Sequence, residues 1–201
     1  MEETFETGGQ VVTLQRVNKS NLQPGDHVFS FRLGGLYSHH GIYVGDGQVI
    51  HFNTPREVIA ALAKENPNVP FDEEDDIWES VANGGKGLGI VKTGIDHFGS
   101  KIYLYKYGVS WIEFWLRKRG TCCPYKSKSL KEAVDTAKEK LKTGFGTYNL
   151  LTNNCEHFAT YCRTGTKFSG QVIPKFGDTV QQLPICEIEK ITSGTYVNVN
   201  V

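Results

Sequence analysis

The hydrophobic residues change their spacing along this chain, and the changes divide it into recognisable parts. Between Gly25 and Phe52 they are mostly β-branched or aromatic and fall into three runs, HVFSF, GIYV and QVIHF. Gly34-Gly35 separates the first two and Gly45-Asp46-Gly47 the last two, so three strands are predicted, the second and third as a hairpin. Two registers of that hairpin are open. With a two-residue turn at Asp46-Gly47, His51 opposes Ile42 and shares a face with His40. With a three-residue turn and a glycine-type bulge, His51 opposes Gly41 and shares a face with His39.

From Asn53 to Ser100 the pattern degrades. VIAALAKE suits a short helix, but an acidic run DEEDD and the glycine-rich NGGKGLG follow, and the stretch reads as a surface insertion. Order returns in KIYLYKYGVS, where Ile102, Leu104 and Lys106 alternate with Tyr103, Tyr105 and Tyr107, as in a strand that extends the earlier sheet. The strongest helical spacing lies between Ser129 and Lys142, carried by Leu130, Ala133, Val134, Ala137 and Leu141. Ser129 and Glu132 form a capping-box pair at its start, and Gly144 and Gly146 end it. A second helix opens after Asn153-Asn154 and runs through CEHFATYC, which places Cys155 in its first turn. Beyond Thr164, VIPKF and QQLPICEIEKI are interrupted by prolines, and TYVNVNV suits an edge strand or a tail.

Composition narrows the function. At 201 residues the chain fits one domain, which buries roughly 70% of its unfolded surface. Its 22 Lys plus Arg balance its 22 Asp plus Glu, so the positive field that nucleic acid requires is missing. No run reaches the roughly 18 apolar residues of a membrane span, and MEETFETGGQ has neither the basic nor the apolar part of a signal peptide. A cytoplasmic protein with at most peripheral membrane contact is expected. The five cysteines, Cys122, Cys123, Cys155, Cys162 and Cys186, are odd in number and lack a CxxC spacing, which fits free thiols better than disulfides or zinc.

A cysteine in a helix's first turn meets unpaired amides and the positive end of the dipole, which lower a thiol's pKa from about 8.5 by one to several units. The same amides can hold the oxyanion of a tetrahedral intermediate. Cys155 is therefore a candidate nucleophile, against the common alternative of an inert buried thiol. His39, His40 and His51 lie on the paired strands. His27, His97 and His157 read more simply as structural residues.

The segments LQPGDHVFSFR, YSHHGIYVGDGQVIHF and YNLLTNNCEHFATYCRTG resemble the lecithin:retinol acyltransferase-like family, particularly its plant members, from roughly Leu22 to Val172. The resemblance implies an α+β, permuted papain-like fold: an antiparallel sheet carrying the histidines, packed on a helix carrying the cysteine. It implies His39 as general base, His51 as the residue orienting it, and Cys155 as the thiol attacking an ester carbonyl, and so selects the three-residue hairpin. Asn154 and Glu156 belong to the motif without a catalytic role. The implied reaction takes an acyl group from a phospholipid or other acyl ester through a thioester, as a phospholipase A-type hydrolase or acyltransferase, with no metal or organic cofactor. The division of the chain is then an extension over 1–21, a catalytic domain over 22–172 with the insertion at about 53–100, and a C-terminal extension over 173–201. His40 stands where animal members have Trp, and no hydrophobic tail anchor follows Val172.

Two other functions use the same residues differently. A papain-like cysteine peptidase would share the thiol and imidazole, and a non-catalytic binding module would keep only the fold. WIEFWLRKRG joins Trp111, Phe114 and Trp115 to Arg117, Lys118 and Arg119. That pairing suits a lipid headgroup interface or, more plainly, a core helix with a solvated end.

Overall fold

The computed structural model describes residues 2–7, 10–68 and 89–173. DEEDD, most of NGGKGLG, Cys186 and the proline-interrupted tail lie outside them.

Strands β1 (Glu2–Thr7) and β2 (Gln10–Gln15) form an antiparallel hairpin. The central sheet is antiparallel and contains β3 (His27–Arg32), β4 (Tyr37–Gly45), β5 (Gln48–Phe52), β6 (Ile90–Gly94) and β7 (Tyr103–Leu104), in the order β6-β5-β4-β3-β7. A parallel pair, β8 (Lys106–Tyr107) and β9 (Cys122–Cys123), stands apart from it. The helices are α1 (Arg56–Glu65), α2 (Ile95–Phe98), α3 (Trp111–Leu116), α4 (Leu130–Thr143) and α5 (Cys155–Thr164). The fold is α+β, with the histidine strands preceding the cysteine helix.

Both long helices begin as their sequences require. Ser129 caps α4, with Glu132 reaching back in a capping box, and Asn154 caps α5, where His157 completes the corresponding box. Helices α4 and α5 cover one face of the sheet, where Ile42, Ile50 and Phe52 pack with Ala137, Phe158, Ala159 and Cys162. The opposite face packs Val28, Tyr43 and Val49 against Ile95, Phe98 and Ile102. Strand alternation sends even-numbered residues of β4 to the helix side and odd-numbered ones to the α2 side.

The segment before the central sheet packs on it: Arg16 bridges to Tyr103, the Val17 amide donates to the Ile102 carbonyl at 2.9 Å, and the Tyr103 hydroxyl donates to Glu3 at 2.7 Å. One segment differs from its sequence reading. Within 53–100, read as a surface insertion, residues 90–98 belong to the sheet and its core. Strand β6 pairs with the whole of β5, and Ile95 and Phe98 are buried. A weakly alternating IVKTG behind a glycine-rich stretch hid an edge strand whose partner supplies most of the ordering.

The β4–β5 hairpin reaches its register by a route between the two expected. Asp46 and Gly47 both have positive φ, 52° and 67°, as in a two-residue type I′ turn, and Gly45 opposes Gln48. One extra residue in β4 then bulges, and Tyr43 opposes Val49, Ile42 opposes Ile50, and Gly41 opposes His51. His51 therefore shares a face with His39, as in the three-residue reading.

Candidate active site

Gly41 sits between His39 and His51 on the α2 side of the sheet. A methyl group there would lie 2.5 Å from Val49 Cγ1, 3.0 Å from His51 Cβ and 3.0 Å from the Phe98 ring, so only glycine lets the rings close over this position. His39 Nε2 and His51 Nδ1 are 3.0 Å apart, and His51 Nε2 is 3.1 Å from the Thr93 hydroxyl on β6. Both imidazoles are buried. Burial, then the neighbouring His51 and the Arg32 guanidinium, hold His39 well below its ordinary value, while burial and Arg32 take His51 to about 3. Both rings are neutral near pH 7.

Cys155 is the first residue of α5, on the other side of the sheet. The β4–β5 ladder ends at Gly41 and His51. Beyond that point the Cys155 thiol lies against β4, donating to the Ser38 carbonyl at 3.7 Å, with the amides of His40, Glu156 and Cys155 itself aimed at the sulfur. Burial nevertheless pushes the thiol up to about 12, so desolvation outweighs the helix-start depression expected from sequence. The resting group is a thiol. A polar path links it to the histidines: Cys155 meets the Tyr148 hydroxyl, which is 3.1 Å from the Thr54 hydroxyl, itself 3.5 Å from His39 Nδ1.

His40 points to the helix side, as alternation requires. Its ring lies between His27 Nε2 at 2.9 Å and the Ser38 hydroxyl at 2.8 Å, and His27 Nδ1 is 2.6 Å from the Tyr107 hydroxyl. This second histidine pair is a buried structural chain. His157 is engaged in the α5 cap and His97 is exposed, so neither joins the thiol.

Glu156 is fully buried and has a definite task. It accepts from the hydroxyls of Tyr105 and Ser169, both at 2.6 Å, and from the amides of Gly170 and Gln171, both at 3.0 Å. Burial, the largest influence, still leaves its carboxyl above the ordinary value. Gln171 Oε1 in turn accepts from the Ser38 amide at 2.8 Å, so the carboxylate ties residues 169–171 to both the cysteine helix and β4. Thr54, Thr93, Arg32 and Tyr148 were not singled out in the sequence. They come from four separate segments, and no short-range spacing marks them.

The buried histidines make stability depend on pH. His40 and His51 lie near 3, His157 near 4, and His27 and His39 well below their ordinary value, each chiefly through burial. On unfolding each returns to about 6.5, so below that pH the unfolded state binds more protons and stability falls as pH falls. Each neutral histidine adds a slope of up to about 1.4 kcal/mol per pH unit. The thermal midpoint is expected to be level above about pH 7 and to drop steeply between about pH 6.5 and 5. A calorimetric series with no drop across that window would contradict the buried, neutral assignment.

Among the described residues, no group of three or more His, Cys, Asp or Glu is placed to hold a metal ion, and no helix is long and apolar enough to cross a membrane. Comparison with known proteins matches the lecithin retinol acyltransferase family model to residues 20–168. The chain is 30% identical over 199 residues to Protein LEAD-SENSITIVE 1 of Arabidopsis thaliana, covering 90% of this chain and 75% of that one. It is 33% identical over 148 residues to human lecithin retinol acyltransferase, covering 72% of this chain and 56% of that one. It is 26% identical over 151 residues to human phospholipase A and acyltransferase 4, covering 75% of this chain and 74% of that one. The matched span includes all three histidine strands, β3, β4 and β5, and the whole of the cysteine helix, and the chain belongs to the lecithin retinol acyltransferase family.

Proposed function

We propose that this chain is a cysteine-dependent acyltransferase or phospholipase A-type hydrolase acting on lipid acyl esters, with Cys155 as nucleophile, His39 as general base and His51 orienting His39. The observation that carries this reading is the polar path from the Cys155 thiol through Tyr148 and Thr54 to His39 Nδ1. If His51 Nε2–H donates to Thr93, its Nδ1 accepts from His39 Nε2–H, and His39 Nδ1 is left with a lone pair. That is the tautomer a base at this position needs.

With a neutral thiol and a neutral imidazole, attack and proton transfer go together. The Cys155 sulfur bonds to the ester carbonyl carbon and its proton passes to His39. The amides at the start of α5 receive the oxyanion. Collapse breaks the acyl C–O bond, and His39 returns the proton to the leaving lysolipid oxygen. Water or an alcohol or amine acceptor then releases the acyl group, with His39 again taking and returning the proton. The residues supply all of these steps without a cofactor. We read the order of elements as a permuted papain-like arrangement over residues 22–172. The four described cysteines are all free, which supports a reducing, cytoplasmic setting.

The test is direct. Incubation with phosphatidylcholine should add one acyl mass to the peptide carrying Cys155, removable by hydroxylamine, with release of lysolipid. Cleavage of peptide substrates without such an adduct would replace this reading with a peptidase. Absence of both activities and of any adduct would leave a binding module.

A further inference from the structure

The four exposed large hydrophobic side chains among the described residues gather at one place. Trp111, Ile112 and Leu116 are 51%, 75% and 59% exposed on the outer side of α3, and Tyr125, 41% exposed, lies beside Trp111 with ring centroids 6.4 Å apart. The helix is not merely unfinished core. Ser110 caps it through the Glu113 amide at 3.1 Å, and Phe114, 1% exposed, anchors its inner side against Phe168 and Trp115. The apolar outer side is thus held rigidly outward.

The charge around it is one-sided. Residues 106–128 contain six basic groups, Lys106, Arg117, Lys118, Arg119, Lys126 and Lys128, against Glu113 alone, in a chain whose formal net charge is zero. Lys106 and Arg117 both engage Glu113, at 2.8 and 2.7 Å, while Lys126 and Lys128 stand exposed directly after Tyr125 in the chain. We infer that the outer side of α3, with Tyr125, Lys126 and Lys128, docks this protein on an anionic phospholipid surface. Indole and phenol rings favour the headgroup layer, and lysines beside them gain from its negative potential. A second copy fits less well, because a two-fold contact would bring two basic clusters together. The inner side of the same helix connects toward the proposed site: Phe114 packs on Gly170, whose amide donates to Glu156, the residue after Cys155.

For its purpose this inference rests on the acyl-ester reading, but docking is measurable without turnover. The full chain is sedimented with vesicles of phosphatidylcholine alone and of phosphatidylcholine with phosphatidylserine. Binding should be at least about tenfold tighter to the anionic vesicles, weaken with salt, and shift tryptophan emission to shorter wavelength. Trp111→Ser with Ile112→Ser and Leu116→Ser should abolish it, and Lys126→Glu with Lys128→Glu should reduce it at least about tenfold, both with unchanged thermal midpoint. These variants should hydrolyse a soluble short-chain ester as wild type does while losing turnover of vesicle phospholipid. Wild type that fails to bind, variants that bind equally, or a dimer dispersed by the serine variant in ultracentrifugation would each overturn the inference. Vesicle binding by a protein inert on every ester would uphold the docking face and remove the proposed activity.

Discussion

Cys155→Ala should eliminate the acyl adduct and reduce ester turnover by about 10⁴-fold or more, the scale on which loss of the nucleophile acts in acyl-transfer enzymes. No neighbouring group can substitute. The described thiols besides Cys155 lie elsewhere: Cys122 and Cys123 are buried on β9 in a different part of the core, and Cys162 is buried about two helical turns further along α5. The variant should stay folded. The Cys155 side chain packs with Ile42, Phe158 and Ala159, and trimming one sulfur from that cluster costs about 1 kcal/mol. Cys155→Ser keeps the volume but offers a hydroxyl far harder to deprotonate, so it too should be severely impaired. Fatty-acid release and intact-protein mass, measured beside the thermal midpoint, decide the matter. Turnover by Cys155→Ala equal to wild type would remove the cysteine from the mechanism.

The adjacent histidines should separate cleanly. His39→Ala removes the proposed base and should slow single-turnover acylation by about 100- to 10,000-fold. His51→Ala leaves the base without its orienting partner, and a smaller loss is expected. His40→Ala strips a partner from His27 and from the Ser38 hydroxyl, both buried, at about 1–3 kcal/mol for each group left unmatched. Its signature is a lowered thermal midpoint with a near-normal rate in the folded fraction. If His40→Ala were inactive and fully stable while His39→Ala kept its rate, the roles assigned here would be reversed.

These two outcomes depend on which parts of the molecule short-range pattern can reveal. Ser129 and Asn154 announce their helices because a cap is a contact between residues three apart. The three histidine strands announce themselves through β-branched runs and glycine breaks. The hairpin register does not, since a type I′ tip and a bulge behind it leave nearly the same residues as a three-residue turn. Thr93 and Thr54 carry no such local mark, because their positions come from long-range pairing and packing. Glu156 shows the same limit within the motif: its position after Cys155 is obvious, but four donors from Tyr105 and residues 169–171 become visible only when the chain is folded around it.

Hairpin tips are ordinarily where a chain gains or loses residues at little cost. The bulge behind Asp46-Gly47 accommodates an odd residue here. Deleting Val44 would remove the bulge and leave a regular ladder in which Gly45 opposes Gln48, Tyr43 opposes Val49 and Gly41 still opposes His51, so His51 would go on meeting His39. What turns β5 over is loss of the bulge with every residue kept: the ladder then slips by one, and His51 opposes Ile42 and faces α5 beside His40. The pairing of His39 with His51 therefore depends on the backbone that permits the bulge, with Gly45 at φ 94°, and a β-branched residue at Gly45 endangers it more than a one-residue change in the length of the loop.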